Sequence, residues 1–119
     1  MEELTTDNVE VMYGREREDG AITASVKIIT TLDQFEILYS TIFQRMESDL
    51  RDSVSSMGFS IKDHNLVMHT QYLSKKQIDF LVENTVALMN GVIQAQNFKV
   101  QMIQGLKELN RQVLVMEGE

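Results

Sequence analysis

The sequence has no cysteine, no proline and no tryptophan among its 119 residues. Without cysteine the chain can form neither disulfides nor thiolate metal sites, a composition typical of proteins from reducing compartments. Without proline, glycine, asparagine and aspartate must end its helices and strands. The acidic N-terminal residues lack the apolar segment of a secretory signal. No apolar run approaches the ~20 residues of a membrane-spanning helix. We therefore expect a cytoplasmic protein without a metal or cofactor.

Positive charge is also scarce. The chain has 18 acidic and 11 basic residues, a net charge of −7. Such a surface repels phosphate backbones, so we expect no direct binding to nucleic acid. The lack of a long apolar run predicts that the chain has no membrane partner. Its 43% of apolar residues is ordinary for a globular protein, and its length suits one domain over residues 1–119.

A β-hairpin is predicted over residues 8–30. Asp19 and Gly20 form the strongest turn signal in the sequence and suit a two-residue type I′ turn. The register that follows from this turn places Val11 opposite Ile28 and sorts both strands into an apolar and a polar face. This hairpin must pack its apolar face against the rest of the chain.

A first helix is predicted over residues 31–57. Thr31 and Gln34 form a capping box at its start, and an apolar stripe then recurs every three or four residues as far as Gly58, a typical residue after a helix end. Residues 59–73 alternate in polarity, which fits either a loop or a second short hairpin.

A long helix is predicted over residues 74–116, starting with a capping box at Ser74 and Gln77. An apolar heptad seam runs from Ile78 to Met116 with only two polar exceptions. A second seam, which runs from Val82 to Ile103 and includes Met89 and Ile93, lies about 100° away around the helix. Two seams indicate a central helix that contacts at least two neighbours.

This helix is too long for a compact chain of this size. It would run about 63 Å, whereas a compact globule of 119 residues is only about 35 Å across. Either the helix breaks at Gly91 or Gly105, or part of it projects and packs on a partner, and the unbroken seam favours a partner. Ala87, Gly91 and Ala95 stand four apart and predict a close helix contact. The predicted oligomer interface comprises Ala87, Leu88, Gly91, Val92, Ala95 and Met102.

The sequence therefore predicts an α+β fold, with an N-terminal β-hairpin packed on a helical bundle and a long C-terminal helix. Closed assemblies of low order are the most common, so we expect a homodimer or homotetramer.

Candidate catalytic residues are few. His64 and His69 are the only histidines, and no further ligands at suitable spacing accompany them. No nucleophile elbow or phosphate-binding loop is present. Arg15 and Arg17 at the hairpin tip, and Lys99 on a seam position, are the candidates for contacting an anionic ligand.

Rich interface signals and weak catalytic ones favour a non-enzymatic protein-interaction module. It would be a small acidic oligomer that binds another macromolecule as an accessory, inhibitor or assembly protein, and it would suit a bacterium or its phage. The alternative is a binder of small anions with pockets between protomers, and a composite enzyme is a third possibility.

Overall fold

The computed structural model describes residues 1–117, and the side chains of residues 1–112. After a short 3-10 turn, the elements in chain order are β1 (Val9–Tyr13), β2 (Ala24–Ile29), α1 (Leu32–Asp49), β3 (Val54–Ser60), β4 (Asn65–Thr70) and α2 (Lys75–Glu117). The strands form one antiparallel sheet in the order β1-β2-β4-β3. The α+β class is therefore confirmed. The predicted hairpin, however, is half of a larger sheet, and this sheet carries two helices.

One face of the sheet is covered and the other is open. Val26 and Ile28 on β2 are fully buried, whereas their neighbours Lys27 and Ile29 are exposed. This alternation is that of a strand with one face on a core. The core adds residues from both helices, namely Leu38, Ile42 and Met46 from α1 and Leu81, Met89 and Ile93 from α2. Both helices therefore pack on the same face of the sheet.

The register of the first hairpin differs from the prediction by two residues. Val11 faces Val26 and not Ile28. The turn contributes one residue of this shift, because the N–H of Gly20 donates to the carbonyl of Arg17 at 3.0 Å and Gly20 has a φ of +84°. A left-handed glycine after a tight turn is typical of a three-residue loop, so the predicted two-residue turn is wrong.

An extra residue on the first side of this hairpin contributes the rest of the shift. The N–H of Gly14 donates to the carbonyl of Thr23, and the N–H of Arg17 donates to that of Ala21. Gly14 and Arg17 are three residues apart, whereas Ala21 and Thr23 are two apart. A shift of two leaves the side chains of the paired residues of β1 and β2 on their predicted faces, since side chains alternate with a period of two.

Helix α1 is shorter than predicted, ending at Asp49 and not at residue 57. The residues after it form β3. This segment has Ser55 and Ser56, whose short polar side chains favour helices less than long side chains do. The register of β3 shifts between Val54 and Ser56, as at a β-bulge. Because a bulge adds one residue, it turns Val54 and Met57 toward the same side of the strand. Their spacing of three therefore imitated a helical stripe.

Three local predictions are confirmed. Thr31 and Gln34 cap α1 reciprocally, and Ser74 and Gln77 exchange the same pair of hydrogen bonds at the start of α2. Of the two alternatives for residues 59–73, the hairpin is correct, although its first strand starts earlier, at Val54.

Helix α2 is continuous and passes through Gly91 and Gly105 without a break. Its 43 residues correspond to about 65 Å, and the molecule measures 80 × 27 × 26 Å. The radius of gyration is 19.5 Å, whereas a compact chain of this length has about 13 Å. Of the two predicted possibilities, the helix projects. The side chains of Val113 and Met116, the last positions of the predicted seam, lie outside the described residues.

The orientation of β2 can be tested with two adjacent isoleucines. We expect Ile28→Ala to lower the free energy of unfolding by about 2–5 kcal/mol, because it leaves a cavity in the core. Ile29→Ala, the matched control on the open face, should cost less than about 1 kcal/mol. Urea unfolding measures both, and equal losses would contradict the assignment of faces.

Candidate interaction surface on the long helix

The first half of α2 provides one wall of the core. Ile78, Leu81, Thr85, Met89 and Ile93 are buried at spacings of three and four residues, as on one side of a helix. The hydroxyl of Thr85 donates to the carbonyl of Leu81 at 2.7 Å, so this buried polar group has a partner. These residues come from both predicted seams. The two seams therefore contribute to one core stripe, and the other residues of each seam lie outside that stripe.

The N-terminal residues lie along α2 and are held by its amide side chains. The Oδ1 atom of Asn90 accepts from the N–H of Leu4 at 2.6 Å, and its Nδ2 donates to the carbonyl of Leu4 at 2.9 Å. Gln94 donates to the carboxylate of Glu3, and Asn97 donates to the carbonyl of Met1. These contacts explain the polar but uncharged side chains on this part of the helix.

The second half of α2 carries apolar side chains in solvent. Every residue from Phe98 to Gln112 is exposed. We call residues 98–112 the arm. Its large exposed apolar side chains are Phe98, Val100, Met102, Ile103, Leu106 and Leu109. A contiguous apolar surface of this kind typically marks an interaction site.

A groove of about 580 Å³ lies between α1 and α2, next to the arm. Its wall on α1 is formed by Ile37, Thr41, Ile42 and Arg45, and its wall on α2 by Ala87, Leu88, Gly91, Val92, Ala95, Gln96 and Lys99. Five of the six predicted interface residues therefore line one groove. The sixth, Met102, lies on the arm with 52% of its surface exposed.

The predicted close helix contact at Gly91 is not made by the described residues of this chain. A Cβ atom added to Gly91 would meet none of their atoms within 4 Å. Helix α1 contacts α2 beside this position and leaves the small residues as the floor of the groove. At about 100° per residue, Gly91 lies on the same side of α2 as Phe98, Met102 and Leu109. The groove and the arm therefore form one continuous surface.

The three candidate anion-binding residues do not converge. Arg17 pairs with Asp19 at 2.6 Å and lies over the ring of Tyr72, 4.4 Å from its centroid. The hydrogen bond from Arg17 to Asp19 raises the pKa of Arg17 and lowers that of Asp19. Tyr72 lies just before α2, whereas Lys99 lies 24 residues after the first residue of that helix, or about 36 Å along it. Arg15 is exposed near the tip. No single pocket can contain all three.

A serine–histidine pair on the open sheet face was missed by sequence reasoning. The Oγ atom of Ser25 lies 2.8 Å from the Nδ1 atom of His69, and the two residues are direct partners across β2 and β4. Catalytic pairs of this type need a third group that orients the base. In the part of the chain with described side chains, no carboxylate is hydrogen-bonded to His69. No local signal could reveal this pair, because β2 and β4 are distant in sequence.

Among the described residues, no group of three or more histidine, aspartate or glutamate side chains could hold a metal ion. None of their helices combines the length and apolar character required to cross a membrane.

Comparison of the chain with protein-family models, with curated proteins and with solved structures found no match. Its function must therefore be argued from its own surfaces. The arm and the groove are the candidate surfaces.

The attachment of the N-terminal residues is testable at Asn90. We expect Asn90→Ala to lower the free energy of unfolding by about 1–3 kcal/mol, because it removes two hydrogen bonds from the backbone of Leu4. The amide of Leu4 should also exchange faster with solvent. Asn84→Ala is the matched control, since Asn84 bonds only to Phe80 within its own helix. Unchanged exchange at Leu4 in Asn90→Ala would contradict this role.

Proposed function

We propose that this protein is a non-enzymatic protein-interaction module, an acidic homo-oligomer that binds another macromolecule through α2. The observation that carries the proposal is the arm, whose large apolar side chains are exposed to solvent in the described part of the chain. Exposing such a surface favours aggregation unless a partner covers it.

The recognition mode that fits this surface is helix-in-groove binding. An amphipathic helix presents apolar side chains at spacings of three and four residues to a hydrophobic groove. The arm offers Phe98, Met102, Leu106 and Leu109 at spacings of four, four and three, and the chain also offers a groove. The protein therefore has both components of such a contact.

The net charge of −7 favours a protein partner over nucleic acid. We propose an accessory, inhibitor or assembly role, in which the exposed surface engages a second protein. Anion binding by Arg15, Arg17 and Lys99 together is disfavoured by their separation along the molecule.

Binding can be tested with two charge substitutions on neighbouring residues. The natural protein and its Met102→Glu and Gln101→Glu variants would each serve as bait in extracts of the source cells. Met102 points along the apolar side of the arm, whereas Gln101 lies about 100° away around the helix. We expect the natural protein and Gln101→Glu to retain a stoichiometric protein partner, and Met102→Glu to lose it. Equal retention by both variants would contradict binding through the arm.

Self-association can be tested at Gly91. Leucine has a helix propensity about 0.8 kcal/mol better than glycine, so Gly91→Leu should raise the melting temperature if the groove faces solvent. If another subunit occupies the groove, the larger side chain should instead lower the melting temperature and shift the protein toward smaller species. We expect the second result in sedimentation and thermal unfolding. A raised melting temperature with unchanged assembly would argue against an interface here.

A further inference from the structure

We infer that the occupant of the groove is the arm of a second copy of this chain, in an antiparallel pair whose two-fold axis passes close to Phe98. This inference rests on the oligomer of the proposed function and specifies its geometry. Each copy then provides one arm and one groove, so the contact is closed and forms twice.

The positions of groove and arm along α2 define the register. The groove includes residues 87–99 of α2, and the arm comprises residues 98–112. An antiparallel pair centred near Phe98 places the middle of each arm opposite the middle of each groove. In this register, Gly91 of one copy lies opposite Gly105 of the other, and Ala87 lies opposite Leu109. A large side chain of the arm thus meets a small one of the groove floor at Leu109 and Ala87, and the two opposed glycines let the helices approach closely.

A parallel pair does not provide this complementarity. It would set the small side chains of the groove floors against each other, and likewise the large side chains of the arms. The apolar residues of the arm also occupy two adjoining sides, since Met102 and Ile103 point about 100° apart. In this register the side of Met102 faces α2 of the second copy, and the half of each arm that stays uncovered is available to the second protein of the proposed function.

Charge also favours the second copy as the occupant. In the arm, Lys99, Lys107 and Arg111 against Glu108 give a net charge of +2. Helix α1, which forms the other wall of the groove, carries four acidic residues against Arg45, a net charge of −3. The charged residues that line the groove itself are Arg45 and Lys99. The acidic residues of α1 lie beside the groove, where opposite charge favours the encounter with a basic arm.

One specific ion pair follows from the register. Helix α1 runs antiparallel to α2, since its start lies beside Gln96 and its end lies beside the segment that precedes α2. Ile37 is level with Gln96, and Arg45 lies eight residues further, about 12 Å, which is level with Leu88. The residue of the second copy at that level is Glu108. Within one chain Arg45 pairs with Asp49 and Glu108 with Arg111, in exposed contacts that can exchange.

The contact is large enough for a stable dimer. A 15-residue helix about 10 Å wide is about 22 Å long and has about 700 Å² of side surface. If half of each arm is covered, the two arms and the two matching groove surfaces bury about 1,400 Å². Stable protein interfaces bury about 1,200–2,000 Å².

The absence of natural cysteine makes single-cysteine cross-linking a direct test. Phe98→Cys, Leu109→Cys and Gln101→Cys all replace exposed side chains, and each variant would be oxidised mildly at a concentration where the natural protein is dimeric. We expect Phe98→Cys to form disulfide-linked dimers, because Phe98 lies near the two-fold axis. Leu109→Cys should not, since its two copies are about 33 Å apart in this register, and a disulfide needs Cα atoms within about 7 Å. Gln101→Cys is the negative control, since Gln101 lies about 60° around the helix from Phe98 and its two copies are about 9 Å apart along the helix axis in this register.

A mixture of Ala87→Cys and Leu109→Cys proteins, tagged to differ in mass, completes the test. We expect a disulfide between the two different chains and none between like chains. Cross-linked Leu109→Cys alone would show a parallel pair and overturn the inference, while leaving the oligomer of the proposed function in place. A natural protein that sediments as a 13.7 kDa monomer at all concentrations would overturn both.

Discussion

The difference in length between α2 and the sheet determines the rest of this structure. Strands of five to seven residues are about 17–23 Å long, whereas α2 runs about 65 Å. Only the first half of the helix can therefore pack on the sheet. The N-terminal residues extend the contact by two turns, through Asn90, Gln94 and Asn97. Beyond Asn97 the described chain provides no further surface on which the helix could pack. The arm is therefore exposed because α2 is longer than the rest of the fold, although it carries large apolar side chains.

Sequence patterns predicted the faces of the elements better than their pairings. The hairpin register was wrong by two residues, yet the paired side chains of β1 and β2 kept their predicted faces, because an even shift preserves alternation. The end of α1 could not be predicted in the same way. A bulge placed Val54 and Met57 on one side of a strand, and the resulting spacing resembles that of a helix. Local periodicity cannot separate these cases when pairing with β4 decides the outcome.

The candidate surface was only partly visible in the sequence. Periodicity grouped five residues that line the groove, because side chains on one side of a straight helix stay together. It could not show which stripe the sheet would cover, since the core takes Leu81 from one seam and Met89 from the other. The position of α1, and with it the second wall of the groove, depends on tertiary packing that no local pattern encodes.

The division of α2 separates folding from association. Met89 and Ile93 are buried in the core, so substitutions there change the stability of the fold directly and an interface only indirectly. Arm residues contribute nothing to that core, and their apolar surface can stabilise only a complex. The groove floor around Gly91 lies between these cases: its residues belong to the folded half of the helix but face away from the core. A surface built in this way can be reshaped for a different partner without repacking the sheet.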